Sequence, residues 1–273
     1  MEDYVKDCLT LPRRKPTEYI TGGDGFIGSA LRRRLPHLTQ IPYKQIPKFI
    51  LQPFKRLFFL SAYGNMYGQN DLDRMIHANV LDPSHLLNEA AIRTDFKSFI
   101  YMSSSSCGLK VRSDYACSKL AAEQYLLGRD LPVCVVRPYS VTGVGEQRQH
   151  LIPALIRSCM EGEPITITPK PTHDYVDVDD ICAGLDLLSS EDARGIFELG
   201  SGIKTSNEEV LALVEQVTGR NANARIVNTT LREYDSEDWV CRDSSAQQYG
   251  WTPTKALKQS IEEMVAAYCE AKK

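Results

Sequence analysis

The stretch that decides the fold is ITGGDGFIGSAL, residues 20–31, in which glycines lie between a short apolar segment and an amphipathic one. Gly22, Gly25 and Gly28 are spaced three apart, directly after a predicted strand that begins with TEYI. Two such glycines let the backbone turn tightly and approach a pyrophosphate, and the third lets helix and strand pack closely. Free N–H groups at the start of the next helix favour an anion there. The pattern predicts a dinucleotide-binding turn, although these residues alone also allow a plain strand-to-helix turn.

Short apolar runs alternate with helical patterns along the first half of the chain. The predicted strands after the glycine turn are LTQI, KRLFFLSA, KSFIYMS and LPVCVVRP, and the predicted helices are FIGSALRRRL, residues 71–93 and YACSKLAAEQYLL. This alternation is typical of βαβ units and a parallel sheet. Beyond residue 140 the pattern is irregular, with predicted helices at 150–161, 205–219 and 257–271 separated by strand-like pieces such as PITIT and IFELG.

We therefore predict an α/β fold, a Rossmann-type doubly wound parallel sheet with a smaller mixed α/β substrate lobe. The dinucleotide-binding domain is predicted to comprise residues 17–143 and about 174–200. The substrate lobe is predicted to comprise about 144–173 and 201–273. Residues 1–16 are an N-terminal extension. Ligands of such folds bind at the carboxyl ends of the strands, so the second lobe is expected to cover that edge.

Composition excludes several functions for the 273-residue chain. The net charge of −3 and pI near 6.0 give no reason to expect nucleic acid or an anionic membrane as a partner. No run of about 18 apolar residues occurs, and the first residues contain acids and no signal-peptide core. The eight cysteines are scattered singly without metal-type spacing. These features are typical of a cytoplasmic enzyme with no metal site.

The ribose-binding acid expected about 20 residues after the glycine turn is missing, since no Asp or Glu occurs between Asp24 and Asp71. The segment instead contains the basic residues Arg32, Arg33, Arg34, Lys44, Lys48, Lys55 and Arg56. A cation near the end of the second strand would suit the 2′-phosphate of NADP. The same residues could equally form a solvated helix face, so the cofactor is predicted to be NAD or NADP.

A second stretch, SSSSCGLKVRSDYACSK (103–119), brings a serine run close to a tyrosine and a lysine. Tyr115 and Lys119 are four residues apart, so on a helix they share one face. A phenol has a pKa near 10, and an adjacent ammonium with an oxidised nicotinamide would lower it. A serine hydroxyl at the end of the preceding strand could position the substrate oxygen. The combination predicts proton transfer to and from a carbinol, whereas the lysine and tyrosine alone could be an ordinary surface pair.

Together these segments resemble the extended short-chain dehydrogenase/reductases that act on nucleotide sugars, the NAD-dependent epimerase/dehydratase group. TGGDGFIG is similar to the TGGxGFIG turn of that group, and FFLSAYGN to its HLAA strand end. FIYMSSSS and DYACSK resemble its serine strand and its PYxxSK helix. The segments HANVLDPSHLLNEA, VVRPYSVTGVGE, HDYVDVDDI, FELGSG and YGWTPTKAL also have counterparts, in order, so the resemblance covers about residues 17–268.

The resemblance implies a role for each matching residue. Tyr115 would be the catalytic acid/base, and Lys119 would lower its pKa and hold the nicotinamide ribose. The catalytic hydroxyl would be Ser104, counted from the strand, or Ser105, counted back from Cys107. Cofactor contacts are expected from Gly22, Gly25, Phe26, Ile27, Gly28, Leu60, Ser61, Ala62, Asn79, Tyr115, Lys119, Pro138 and Val141, and substrate contacts from Tyr63, Ser104, Ser140 and His173. A homodimer through helices that include 82–93 and 115–127 would also follow.

Departures from the group pattern rank the reactions. Dehydratases have an Asp and a Glu after the catalytic hydroxyl, and decarboxylases keep the glutamate. Here those positions are serine or cysteine, which disfavours both reactions. We therefore predict a nucleotide-sugar 4-epimerase, with an NADPH-dependent keto-sugar reductase as the alternative. Cys107 faintly resembles the active-site cysteine of GDP-fucose synthases, although a cysteine at such a position is more often inert. A non-catalytic dinucleotide-binding scaffold is the second alternative.

The substrate side departs further. The arginine of the group that clamps the nucleotide diphosphate is replaced by His173, and the asparagine of its RPFN motif by Ser140. A neutral imidazole is a poor substitute for a bidentate guanidinium. Arg148 or Lys170 could hold the diphosphate instead, or the substrate could be a smaller sugar or ketone. The sequence predicts a small-molecule substrate, most simply a nucleotide sugar, without naming it.

Overall fold

The computed structural model describes residues 17–66, 68–93, 96–228 and 238–273, so the predicted extension 1–16 and Cys8 lie outside the described residues. The strands in chain order are β1 (Thr17–Thr21), β2 (Thr39–Ile41), β3 (Phe54–Phe59), β4 (Ser98–Met102), β5 (Val133–Pro138), β6 (Ser140–Thr142), β7 (Ile165–Ile167), β8 (Thr172–Asp177), β9 (Gly195–Leu199), β10 (Lys204–Ser206) and β11 (Ala224–Ile226). The helices are α1 (Phe26–Arg34), α2 (Leu72–Ile76), α3 (Asp82–Arg93), α4 (Asp114–Leu127), α5 (Leu151–Glu161), α6 (Val178–Ser190), α7 (Asn207–Thr218) and α8 (Leu257–Glu270).

The main sheet of this described part is parallel throughout, in the order β2-β1-β3-β4-β5-β9. Successive side chains of each strand point to opposite faces, so both faces are apolar. On one face Ile20 and Ile100 pack with α1 and α6. On the other face Tyr19 and Phe99 pack with α3 and α4. The predicted doubly wound α/β sheet is confirmed.

The sheet ends at β2, which is its edge on the side of the glycine turn. After β2 the chain forms a 3₁₀-helix, Tyr43–Lys48, and then crosses to β3 on the other side of β1. Pro42 and Pro47 fall at the start and inside this helix, where proline blocks further strand pairing. The short predicted strand LTQI corresponds to β2 and is the outermost strand on this side of the sheet. The edge next to a bound adenosine would therefore be compact.

A third apolar cluster lies outside the main sheet. It joins α5, α7 and α8 through Leu155, Val210 and Ile261, all buried. The parallel pair β7 and β11 extends this lobe, and the small sheet β10-β8-β6 lies beside it. The helices α5, α7 and α8 and the strands β7, β10 and β11 come from both chain segments that the sequence assigned to the substrate lobe, whereas β6 and most of β8 fall in segments assigned to the dinucleotide-binding domain. The proposed domain boundaries themselves remain a prediction.

Among the residues that the structure describes, no helix combines the length and the apolar character needed to cross a membrane.

Helix α1 touches the end of β1 with no space for a side chain. A Cβ at Gly28 would lie 2.0 Å from the carbonyl oxygen of Gly22, which is backbone and cannot move aside. We expect Gly28→Ala to lower the free energy of unfolding by about 3 kcal/mol, as overpacked sites do. Urea denaturation measures this change. Gly108→Ala is the matched control, because its Cβ would meet nothing within 4 Å. Equal effects of the two substitutions would contradict the packing argument.

Candidate active site

The carboxyl ends of β1, β3, β4 and β5 open into a single cleft of about 920 Å³. Its other wall comes from the second lobe, through residues of α5, β7 and β8. The position agrees with the rule that ligands of open α/β sheets bind beyond the carboxyl ends of the strands. Most of the predicted site residues line it: Gly22, Gly25, Phe26, Ile27, Gly28, Leu60, Ser61, Ala62, Ser104, Ser105, Tyr115, Lys119, Pro138, Ser140, Val141 and His173.

The glycine turn forms one end of this cleft. Gly22 has a positive φ of 69°, and a Cβ there would lie 2.8 Å from the backbone nitrogen of Ser61. Gly25 donates its N–H to the Gly22 carbonyl at 3.0 Å and is the N-cap of α1. The neighbouring strand ends are tied together, because Thr21 Oγ1 accepts from the N–H groups of Leu60 and Ser61. A backbone surface with no side chains therefore faces the cleft at a helix N-terminus, as a pyrophosphate requires.

Arg32 and Gln40 lie next to the glycine turn, where a ribose-binding acid was expected. Arg32 Nη1 donates to Asp24 Oδ1 at 3.2 Å and to Gln40 Oε1 at 3.0 Å. Gln40 belongs to β2 and donates in turn to Asp24. The only carboxylate of this group belongs to the glycine turn itself and is already paired with both side chains.

Other basic residues of that segment have structural roles. Arg56 is buried and forms ion pairs with Glu18 at 2.6 Å and with Asp186 at 2.8 Å. Arg34 also pairs with Asp186. These contacts join the start of β1 and β3 to α6, at the edge of the sheet opposite the cleft. Arg56 and Arg34 are therefore removed from the candidates for a 2′-phosphate.

Tyr115 and Lys119 lie in the first turns of α4 and face the cleft together. The side chain of Lys119 is almost completely buried, and its Nζ donates to the Met102 carbonyl at 2.7 Å. The same nitrogen lies 4.6 Å from the centre of the Tyr101 ring and 5.9 Å from the centre of the Tyr115 ring. The predicted pair is thus brought together at the end of β4.

The protein environment shifts the pKa values of both members of this pair. Burial lowers the pKa of Lys119 to about 7, because few groups compensate the charge of its ammonium there. Burial, together with the nearby Cys107, raises the pKa of Tyr115 above its ordinary value. The expected lowering of the phenol pKa relies on the ammonium together with an oxidised nicotinamide, so it stays a prediction. The protein environment by itself favours the neutral forms of both groups.

The serine run divides into separate roles. Ser103 is buried and donates to Glu123, a fully buried acid of α4 that also pairs with Arg137. Ser104 caps the 3₁₀-turn Ser105–Gly108, since its Oγ accepts from the N–H of Ser106 at 3.2 Å and lies 2.8 Å from the Ser106 hydroxyl. Both Ser104 and Ser105 line the cleft, so the structure retains each as a candidate for the catalytic hydroxyl.

Cys107 lies behind the cleft wall and is 2% exposed. Its Sγ is 3.5 Å from both the Ser103 hydroxyl and the Ala116 carbonyl. Burial raises the pKa of this thiol, so the reactive thiolate is disfavoured. The structure supports the inert interpretation of Cys107.

Asn79 and Tyr63 were predicted to contact cofactor and substrate, but neither lines the cleft. Asn79 is fully buried in a π-helical turn, His77–Leu81. Its side-chain amide accepts a hydrogen bond from the N–H of Tyr63 and donates to the Tyr63 carbonyl and to the hydroxyl of Ser118. The ring of Tyr63 lies 4.5 Å beneath the guanidinium of Arg74. Asn79 fixes the loop after β3 against α4, and the predicted contacts of Asn79 and Tyr63 with cofactor and substrate stay predictions.

The substrate side contains residues that the sequence analysis did not single out. His173 of β8 and Ser140, both predicted substrate contacts, are hydrogen-bonded through Nδ1 and Oγ at 3.2 Å. The ring of His173 also lies 5.3 Å from the ring of Trp239. Glu146 and His150 line the same wall and are 3.1 Å apart. No local signal marked Trp239, because its place in the cleft depends on the return of the chain after α7.

The proposed diphosphate cations are not at this wall. Arg148 pairs with Glu163 at 2.7 Å and is largely exposed, and Lys170 is exposed as well. Neither lines the cleft, where Lys119 is the only Lys or Arg that the described ranges contribute. The prediction that Arg148 or Lys170 replaces the missing arginine is not supported.

The glycine turn, the tyrosine–lysine pair and the shared cleft define a dinucleotide-dependent α/β enzyme. A family model described as the NAD dependent epimerase/dehydratase family matches residues 60–200. The chain belongs to this family, which confirms the predicted resemblance. Among curated proteins, no sequence matches significantly.

Solved structures share the fold over nearly the whole chain. MoeE5, in complex with UDP-glucuronic acid and NAD, has a TM-score of 0.84 at 23% identity, over 93% of this chain and 99% of that chain. RMD from Pseudomonas aeruginosa, complexed with NADPH, has a TM-score of 0.79 at 19% identity, over 94% and 100%. UDP-glucose 4-epimerase from Thermotoga maritima, with UDP-glucose, has a TM-score of 0.81 at 20% identity, over 94% and 100%.

The residues fit the nicotinamide dinucleotide that the family implies. The cradle at Gly22 and Gly28 lacks the space for any Cβ, and it opens toward a helix N-terminus. The cleft continues from this cradle to Lys119 and Tyr115 without leaving the carboxyl edge of the sheet. Gly22, Gly25 and Phe26 would hold the pyrophosphate, and Lys119 would lie at the nicotinamide end.

The lowered pKa of Lys119 predicts that burial of this side chain lowers the free energy of unfolding by an amount that depends on pH. Between pH 7 and about 10.4 the unfolded lysine keeps a proton that the folded one has released, so wild-type stability rises with pH in this range. Lys119→Met removes this titration. We expect the free energy of unfolding of the variant to exceed that of wild type by roughly 2–4 kcal/mol at pH 6. This difference should be smaller at pH 9. Urea denaturation at both pH values measures it. The exposed Lys258→Met is the control, and an equal pH response of the two variants would contradict the expectation.

Proposed function

We propose that the protein is a nucleotide-sugar epimerase that uses NAD or NADP to oxidise a sugar carbinol, at C4, and to reduce it again from the other face. One observation carries the proposal: Tyr115, Lys119 and the serine hydroxyls line the same cleft as the dinucleotide cradle. Such a cleft can bring a carbinol carbon, an acid/base and the cofactor together, which is the arrangement that proton and hydride transfer require.

Each side chain has a defined task. A nicotinamide dinucleotide, held at the glycine turn, would supply the hydride chemistry at the carbinol carbon. Tyr115 takes the carbinol proton and gives it back, and Lys119 stabilises the phenolate while the proton is away. Because burial raises the pKa of Tyr115, the phenol readily holds a proton for the reductive half of the reaction. The oxidative half needs Lys119 in its ammonium form, which donates a hydrogen bond to the Met102 carbonyl.

The residues after the catalytic hydroxyl support epimerisation over elimination. Ser106 and Cys107, which follow both candidate serines, are buried in the 3₁₀-turn, and a hydroxyl or a thiol of raised pKa is a poor acid or base at neutral pH. Glu123 is a buried acid in this region, but it is held by Arg137 and Ser103 behind the cleft. Removal of a sugar oxygen would therefore lack its acid.

The nucleotide-sugar substrate is supported by structures of the same fold. MoeE5 was solved with UDP-glucose as well as with UDP-glucuronic acid, and the Thermotoga maritima enzyme with UDP-glucose. A cleft of about 920 Å³ lies near the upper end of the usual range for ligand sites, consistent with a cofactor and a substrate side by side. A cytoplasmic location and a homodimer through α3 and α4 belong to the same proposal.

A second candidate, an NADPH-dependent keto-sugar reductase, is favoured by Arg32. Its guanidinium adjoins the glycine turn, while Gln40 lies in β2, after which an NAD enzyme usually has an acid. Arg32 and Asp24 are both well exposed, with 44% and 81% of their side chains accessible, so their ion pair is weak and easily exchanged. A 2′-phosphate would offer Arg32 stronger bidentate hydrogen bonds. RMD, which shares the fold, was solved with NADPH.

Tyr115→Phe tests the acid/base. The substitution removes the only proton-carrying atom of the ring and keeps its volume, so we expect turnover to fall by about 10³-fold or more with cofactor affinity nearly unchanged. A panel of UDP-, GDP- and dTDP-sugars, assayed with both cofactors, provides the activity measurement. Fluorescence titration with NADH and NADPH provides the affinity. Activity that survives the change would mean that another group moves the proton.

The cofactor that the purified protein carries separates the candidates. An epimerase regenerates its cofactor in every cycle, so NAD that persists through dialysis is expected for the first candidate. A protein that is purified empty and prefers NADPH would support the reductase, and Arg32→Ala should then weaken NADPH binding about tenfold and leave NADH unchanged. Arg33→Ala, exposed on the same helix, is the control. Binding of neither dinucleotide would overturn both candidates in favour of a non-catalytic scaffold.

A further inference from the structure

Trp239 occupies a position in the cleft that the proposed reaction does not yet use. Its indole Nε1 donates to Ser105 Oγ at 3.1 Å, and its ring lies 5.3 Å from the His173 ring at an interplanar angle of 45°. The ring is half-buried and lines the cleft beside Ser104, Ser105 and Ser140. An aromatic side chain therefore faces the space next to the catalytic group, with its polar end already bonded.

The backbone around Trp239 is fixed by a buried carboxylate. Two residues after the indole, the N–H of Cys241 donates to Asp174 Oδ2 at 3.0 Å. Asp174 is fully buried and also accepts from Ser201 at 2.6 Å and from the N–H of Gly202 at 2.9 Å. It follows His173 directly in β8. The same strand thus contributes His173, which contacts the indole, and Asp174, which fixes the backbone two residues after Trp239.

The hydrogen bonds of the serines distinguish Ser105 from Ser104. A serine hydroxyl has one proton and two acceptor sites. The oxygen of Ser105 accepts from the indole, which leaves its own proton to be donated into the cleft. Ser104 Oγ accepts from the N–H of Ser106 as the cap of the 3₁₀-turn and also bonds the Ser106 hydroxyl at 2.8 Å, where either oxygen can be the donor, so the Ser104 hydroxyl is engaged within the turn. Trp239 therefore sets the direction of a hydroxyl that lies in the cleft.

We propose that Trp239 is a substrate-binding residue that recognises the sugar ring. One face of the indole packs against the C–H face of the pyranose, and the N–H of the indole orients Ser105, not Ser104, to donate to the carbinol oxygen. This inference rests on the proposed sugar chemistry of the same cleft. It adds the residue that selects a sugar ring and decides which serine contacts the reacting oxygen.

Intrinsic fluorescence tests the contact without turnover. The chain has two tryptophans, and Trp251 is buried with its Nε1 bonded to the Asp180 carbonyl. In Trp251→Phe, combined with Tyr115→Phe to stop catalysis, only Trp239 emits. The probes are UDP-, GDP- and dTDP-glucose, each matched by the free nucleoside diphosphate, with saturation shown by calorimetry. We expect the glucose-bearing probe to change the emission by at least about 20% more than its matched diphosphate.

The outcomes distinguish this inference from the proposed function. Equal changes for a bound nucleotide sugar and its matched diphosphate would overturn the role of Trp239 and leave the proposed function standing. Calorimetry that shows no binding of any probe would overturn the nucleotide-sugar substrate, and the sugar contact with it. Trp239→Phe, in which only Trp251 emits, is the control and should show no sugar-dependent change.

Steady-state kinetics test the serine assignment. They are measured in a background that keeps Trp251 and Tyr115, so they do not depend on the folding of Trp251→Phe. Ser105→Ala is expected to lower kcat about 100-fold, and Ser104→Ala less than tenfold. Trp239→Phe keeps an aromatic face but loses the N–H, so kcat should fall about tenfold with little change in KM. Trp239→Leu should raise KM as well. In the Ser105→Ala background Trp239→Phe should cost nothing further in kcat, because the two residues act as one unit. Additive losses, or a larger loss in Ser104→Ala than in Ser105→Ala, would overturn the assignment.

Discussion

The burial of one ammonium is the constraint on which the site depends. Lys119 is 1% exposed, and a charge removed from water that far is stable only where dipoles and rings replace the solvent. The carbonyl of Met102 and the ring face of Tyr101 replace the solvent around Lys119, and both residues lie at the end of β4. The hydroxyl of Tyr101 is in turn fixed by the Asn79 carbonyl. The end of one strand therefore determines where the amine, and with it the phenol one helical turn earlier, can lie.

A buried ion pair fixes α4 from behind. Glu123 lies on the helix face that meets the sheet, is fully buried, and pairs with Arg137 at 2.5 Å. Arg137 lies near the end of β5 and reaches Glu198 of β9 at 3.5 Å, so the helix is joined to two strands through charged hydrogen bonds. Loss of one partner of such a pair leaves an uncompensated buried charge. Replacement of Glu123 would therefore disturb the position of Tyr115 and Lys119 without touching any ligand.

Features set by local spacing could be predicted from the sequence, and features set by long-range return could not. Gly22, Gly25 and Gly28 act within one strand–turn–helix unit, and Tyr115 and Lys119 within one helical turn, so their spacing was sufficient. The family resemblance assigned Asn79 a cofactor contact, and nothing in the sequence indicated its partners Tyr63 and Ser118, which lie in other elements. Trp239 carries no local pattern, because its contact with Ser105 spans 134 residues. The pKa of Lys119 likewise depends on burial that no motif reports.

The protonation that the protein alone favours at the tyrosine–lysine pair follows from the same burial and bears on how the proposed reaction starts. Burial lowers the pKa of Lys119 to about 7 and raises that of Tyr115, so above pH 7 the favoured pair is amine and phenol, with no net charge. A neutral pair avoids the cost of two isolated charges in a dry site. A phenolate next to an ammonium becomes favourable only when further positive charge is added within a few ångströms. The basicity that the reaction needs is therefore created by the ligands that fill the cleft, and the protein supplies the positions at which that charge acts.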